Sequence, residues 1–70
     1  MKSNRLYYVH SNGMECFVSK VDEKPFYGFY FCRIEKVIDK GSYVKAAPDL
    51  EVYVHDSILK PCFGRGYEIE

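Results

Sequence analysis

Apolar and polar residues alternate along most of this chain, with the two-residue period that is typical of half-buried β-strands. Aromatic and β-branched side chains dominate these stretches, which also favours strands over helices. The alternation predicts strands over residues 5–10, 14–21, 26–39, 50–55 and 67–70. A further short strand is predicted over residues 43–45.

Turn-forming residues separate the predicted strands. Asn12 and Gly13 form the dipeptide that most strongly indicates a tight hairpin. In the longest strand, the adjacent apolar residues Val37 and Ile38 interrupt the alternation and predict a bulge or bend after Lys36. Further turns are predicted over residues 22–25, 40–42 and 64–66.

The segment after residue 55 predicts one short helical turn before the last strand. Asp56 and Ser57 are favourable N-cap residues, and Pro61 ends the turn predicted over residues 58–60. Five or six short strands joined by turns are typical of a small antiparallel barrel, because closure removes exposed sheet edges. We therefore predict an all-β fold with one barrel domain over residues 1–70.

Alternation also assigns the two faces of the strands over residues 26–39 and 50–55. One face is predicted to form the core and carries Tyr30, Cys32, Ile34, Leu50, Val52 and Val54. The other face carries Phe29, Phe31, Arg33, Glu35, Glu51, Tyr53 and His55. Aromatic side chains are therefore expected on the outer surface of the domain, where an apolar patch marks an interaction site.

Composition excludes several classes of protein. The chain has 70 residues and 47% hydrophobic residues, which is enough for one small core and argues against disorder. Ten basic residues balance ten acidic ones, which excludes a globally basic coat for nucleic acid. No apolar run is long enough to span a membrane, and the first residues lack the apolar block of a secretion signal. We therefore predict a cytoplasmic protein with no membrane partner.

The sequence shows no chemistry-bearing motif. The three cysteines, Cys16, Cys32 and Cys62, are an odd number at wide spacing, and Cys-x-x-Cys pairs are absent. His-Glu-x-x-His motifs and glycine-rich phosphate loops are also absent. A domain of this size has little capacity to hold a preorganised catalytic site. We therefore expect no enzymatic activity, no metal and no cofactor.

Two segments nevertheless resemble the paired ribonucleoprotein-type motifs of cold-shock domains. Residues 24–30 read KPFYGFY, and residues 51–59 read EVYVHDSIL. The resemblance implies a five-stranded OB-type barrel that binds single-stranded RNA or DNA. By position, it implies that bases stack on Tyr27, Phe29, Tyr53 and His55.

Other residues fit the same function. Phe31 and Arg33 are predicted on the same face as Phe29, where Arg33 can contact phosphate or stack on a base. Lys20 and Lys24 are predicted to contact phosphates from the approach to the long strand. His55 has an alternative role, in which a ring nitrogen caps the turn that follows it.

An alternative hypothesis assigns the same aromatic face to protein recognition. In this interpretation the chain is an SH3-like or other small barrel that acts as an inhibitor or adaptor, or forms a homodimer. Its zero net charge favours this hypothesis. Lys20 and Val21 favour it too, because cold-shock domains usually carry an aromatic pair at those positions.

Overall fold

Five antiparallel strands form one sheet in the computed structural model, which describes residues 5–42 and 45–62. The strands are β1 (Leu6–Ser11), β2 (Met14–Lys20), β3 (Phe29–Asp39), β4 (Glu51–His55) and β5 (Lys60–Pro61). Their order in the sheet is β4-β3-β2-β1-β5. The described residues form no helix, and thus no helix that is long and apolar enough to cross a membrane.

The predicted Asn-Gly hairpin joins β1 to β2. Ser11 pairs with Met14, so that the loop has two residues. Asn12 and Gly13 have φ angles of 53° and 81°. Positive φ at both positions is the requirement of a type I′ turn, whose twist matches that of the flanking strands.

The predicted bulge lies in β3, opposite β2. Cys16 pairs with Val37 and Glu15 pairs with Asp39, which leaves Ile38 without a direct partner on β2. A second register shift lies between Phe17 and Val18. Bulges bend a strand and increase its twist. The C-terminal half of β3 therefore follows β2, while its N-terminal half pairs with β4.

The main core lies on the predicted face of the sheet. Its buried members are Val9, Cys16, Val18, Cys32, Ile34 and Val54. Tyr30 and Val52 pack against this cluster as predicted. Leu50 is a correction, because it remains 39% exposed. It precedes β4 and lines a hollow instead of filling the core.

A second, smaller core lies on the opposite face, over β1 and β2. Leu6, Phe17 and Cys62 are buried there, and Tyr8 packs against them. The backbone N–H of Cys62 donates to the carbonyl of Leu6 at 2.9 Å, which holds the chain after β5 against the start of β1. This half of the face is therefore closed, whereas the half over β3 and β4 is open.

One prediction of architecture is not confirmed, and another needs correction. The described strands form an open sheet, so they do not confirm a closed barrel. The helical turn over residues 58–60 is wrong: N–H groups of Ile58 and Leu59 close two overlapping turns on His55 and Asp56, and β5 follows. Pro61 lies in the edge strand β5 and does not end a helix. An edge strand tolerates a residue that lacks an N–H.

Other predicted elements fall outside the described residues. These are the turn over residues 64–66, the strand over residues 67–70 and most of the strand over residues 43–45. Lys45, the last residue of the predicted short strand, lies in a turn instead.

The cysteines give a test of the two cores. None of the three forms a disulfide, and all three are buried. Burial raises the thiol pKa of Cys16 to about 11, and burial is also the main cause of a pKa of about 11 for Cys32. Only the thiolate reacts with such reagents. At pH 8, about three units below this pKa, roughly one Cys16 or Cys32 side chain in a thousand is a thiolate.

We expect a thiol reagent to label the native protein far more slowly than the protein in denaturant, where three thiols react. Labelling counted by mass spectrometry measures both rates. Rapid reaction of Cys16 or Cys32 in native buffer would contradict the buried positions described here.

Candidate functional site

Two aromatic pairs lie side by side on the open half of the sheet. β3 and β4 pair so that Phe29 faces His55 and Phe31 faces Tyr53. The ring centroids are 5.0 Å apart in the first pair and 5.1 Å apart in the second. Tyr53 is 62% exposed and Phe29 is 43% exposed. We call these four residues the aromatic strip.

A tight turn before β3 extends the exposed aromatic surface. Phe26 and Phe29 form an antiparallel bridge, with N···O distances of 2.7 and 3.0 Å. Tyr27 and Gly28 form the loop between them, with φ angles of 52° and 83°. Tyr27 is 86% exposed, and its ring meets that of Phe26 edge-on at 4.5 Å. A positive φ is strained for a bulky residue, and such strain concentrates at functional sites.

Phe26 is a site residue that the sequence analysis missed. Directly bridged residues share a face of the sheet, so Phe26 lies on the face of Phe29, and it is 67% exposed. The signal was present in the sequence. A Tyr-Gly pair between two phenylalanines has a glycine in the second position of a two-residue loop, where a type I′ turn favours it.

The imidazole of His55 is held by the turn that follows β4. The backbone N–H of Ser57 donates to Nδ1 at 3.2 Å, and the hydroxyl of Ser57 lies 2.8 Å from the same atom. Since Nδ1 accepts this hydrogen bond, the neutral ring carries its proton on Nε2. The turn-capping role of His55 is confirmed, and its ring also stands at 80° to that of Phe29.

Gly28 lies directly against this ring. A Cβ atom at Gly28 would approach Nε2 of His55 to 3.1 Å. The carbonyl of Gly28 accepts the N–H of Asp56 at 2.9 Å, which joins the tight turn to the end of β4. The absence of a side chain at Gly28 therefore gives His55 room to pack beside Phe29.

A polar belt separates the aromatic strip from the second core. Arg33 Nη2 lies 3.7 Å from Glu51 Oε2, and both side chains are 46% exposed. The hydroxyl of Ser19 donates to Glu35 in the same belt. The cation predicted to contact phosphate is therefore partly neutralised by a carboxylate.

Lys20 lies apart from the other predicted site residues. It pairs with Cys32, which places it on the core face of the sheet. Its Nζ atom lies 3.7 Å from the ring centroid of Tyr30 and 4.7 Å from that of Tyr7. Cation–π attraction accounts for this position. Lys24 is exposed in the loop before the tight turn, where its backbone N–H donates to Asp22 at 3.1 Å.

A hollow of about 490 Å³ opens beside β4. Its lining includes Val52 and Val54 from the core face of β4 together with Tyr53 and His55 from the other face. Val9, Ile34 and Ile58 also line it, so the hollow lies over the core face of the sheet next to β4. Among the described residues, no group of three or more Cys, His, Asp or Glu side chains could hold a metal ion.

Comparison of the chain with protein-family models, with curated proteins and with solved structures finds no match. The resemblance to cold-shock domains therefore stays a prediction based on residues 24–30 and 51–59. Any functional assignment has to come from the geometry of the aromatic surface.

A glycine substitution tests how the tight turn positions His55. We expect Gly28→Ala to destabilise the fold by about 1–2 kcal/mol, the cost of a left-handed conformation for an L-residue. We also expect it to displace the His55 ring. Chemical denaturation measures the first effect, and the NMR shifts of the imidazole protons report the second.

Gly13→Ala is the matched control. Gly13 has a φ of 81°, and the nearest atom to its added Cβ would be 3.9 Å away. The control therefore has the same backbone cost without the contact. Equal shifts of the His55 resonances in both variants would show that Gly28 does not position the ring.

Proposed function

We propose that the protein binds single-stranded nucleic acid by stacking bases on the aromatic strip and on the adjoining rings of Phe26 and Tyr27. The observation that carries the proposal is the pair of cross-strand aromatic contacts left exposed on one half of one sheet face. Every base has a π-face, so stacking tolerates sequence and contributes about 1–3 kcal/mol per base.

The charges around the strip make stacking the dominant contribution. Arg33 forms an ion pair with Glu51, and Lys20 packs on tyrosines of the other face. Lys24 is exposed near the tight turn. These three cations therefore offer few phosphate contacts to a strand bound on the aromatic strip. We expect binding that is weak, tolerant of sequence and less sensitive to salt than that of a basic protein.

Replacing rings by aliphatic side chains tests stacking directly. We expect Phe29→Leu combined with Tyr53→Leu to weaken the binding of mixed-sequence single-stranded RNA or DNA by more than tenfold, because leucine keeps an apolar surface and loses the π-face. Fluorescence anisotropy of a labelled oligonucleotide measures the change.

Ile38→Ala is the control for general loss of apolar surface. Ile38 is 49% exposed on β3, at the bulge and outside the strip. We expect it to bind as the unaltered protein does. Unchanged binding by the double leucine variant, with its fold intact by circular dichroism, would contradict base stacking on the strip.

The Arg33–Glu51 pair gives a prediction about salt. Each phosphate contact on a single strand contributes about −0.7 to the slope of log K against log salt. We expect Glu51→Gln to release Arg33 for a phosphate, so that affinity at low salt rises and the slope becomes steeper by about 0.7. Anisotropy titrations at several salt concentrations measure it, with Arg33→Gln/Glu51→Gln as the control that removes the gain.

A second candidate function is protein recognition by the same surface. The observation that favours it is the neutralisation of Arg33 and the position of Lys20 on the far side of the sheet. An absence of binding to RNA and DNA at low salt, together with a specific protein bound through Tyr53 and Phe26, would favour this candidate over nucleic acid.

A further inference from the structure

The outer edge of β4 is open among residues 5–42 and 45–62, where β4 pairs with β3 alone. The N–H of Ile34 donates to the carbonyl of Leu50 at 2.8 Å, and the N–H of Asp56 donates to Gly28 at 2.9 Å. In an antiparallel ladder the residues bonded to a neighbour alternate with residues that point away from it. The backbone groups of Glu51, Tyr53 and His55 therefore point outward.

The sequence of β4 is nearly symmetric about its central residue. It reads EVYVH, with Tyr53 in the middle. An antiparallel pairing of β4 with the β4 of a second copy, centred on Tyr53, places valine opposite valine and tyrosine opposite tyrosine. It also places Glu51 of each copy opposite His55 of the other. Residues at equal distances from the centre meet in such a pairing, and here it brings an acid to a base.

We propose that the protein forms a two-fold symmetric dimer by pairing β4 with the β4 of a second copy. The faces agree, because Val52 and Val54 lie on the core side in both copies and Tyr53 lies on the strip side. The dimer does not require nucleic-acid binding, but it would join the two aromatic strips across Tyr53.

The outward backbone groups supply the hydrogen bonds of the dimer. The two Tyr53 residues exchange two N–H···O bonds, and the N–H of each His55 donates to the carbonyl of Glu51 in the other copy. The carbonyl of His55 already accepts the N–H of Ile58 at 3.0 Å. It would therefore be shared by two donors if the N–H of Glu51 also donated to it.

The surroundings of the edge agree with an added strand. The hollow beside β4 is lined by Val52 and Val54, so the core side of this strand has space for apolar side chains of the second copy. Since each strand has five residues, the interface is small and the dimer dissociates readily.

Charge exchange across the proposed pair gives the test. We expect sedimentation equilibrium of the full chain, without nucleic acid, to show a monomer–dimer equilibrium. A cross-strand ion pair stabilises two paired strands, and it occurs twice in a symmetric dimer. We therefore expect His55→Lys to tighten the dimer by about 2- to 30-fold, and Glu51→Lys to weaken it by a similar factor.

The reciprocal variant separates the proposed interface from other contacts. We expect Glu51→Lys combined with His55→Glu to restore the dimer, because the acid and the base exchange places. A single species of monomer mass at millimolar concentration would overturn the proposal. A dimer whose dissociation constant is the same in the charge variants and in the unaltered protein would also overturn it, since the interface must then lie elsewhere.

Amide hydrogen exchange gives a second measurement at the backbone. We expect the N–H of Tyr53 to gain protection as protein concentration rises, while the N–H of Val52, which points to β3, is protected throughout. Protection of Tyr53 that is independent of concentration would mean that the chain's own residues cover the edge, and would overturn the proposal. Phe29→Leu keeps the β4 edge, so loss of base stacking and loss of the dimer remain distinguishable.

Discussion

The register between β3 and its two neighbours is the constraint on which the rest of this structure depends. Side chains alternate across a strand, so a slip of one residue would exchange the two faces of β4. The observed register buries Cys32, Ile34 and Val54 and leaves Phe29 and Tyr53 on the surface. The core and the aromatic strip are therefore two results of one pairing. Neither can change without the other.

Local patterns predicted the features that depend on local physics. The period of two residues assigned the faces of β3 and β4, and positive-φ residues marked the hairpin at Asn12 and Gly13. Lys20 shares the parity of the buried residues Cys16 and Val18, so the same pattern held the information that it lies on the core face. A phosphate contact of Lys20 stays a prediction, and its position on the core face separates it from the aromatic strip.

Features that depend on distant pairing were harder to predict. The helical turn was favoured by a good cap and a proline, but β1 recruits Lys60 and Pro61 as a strand, with Pro61 opposite Tyr7. No local pattern in residues 58–61 encodes that partner. Barrel closure depends in the same way on pairing between strands far apart in the chain, which period and turn chemistry do not specify.

The two ends of the sheet differ in what they can accept. β5 has two residues and one of them is proline, which lacks the N–H that a further strand would need, whereas β4 has five residues. In the proposed dimer, growth of the sheet through β4 would be isologous, so it would occupy the open edge of both copies and then stop. With such a dimer, the asymmetry of the two described ends would protect a chain rich in exposed aromatic side chains against extending into fibrils.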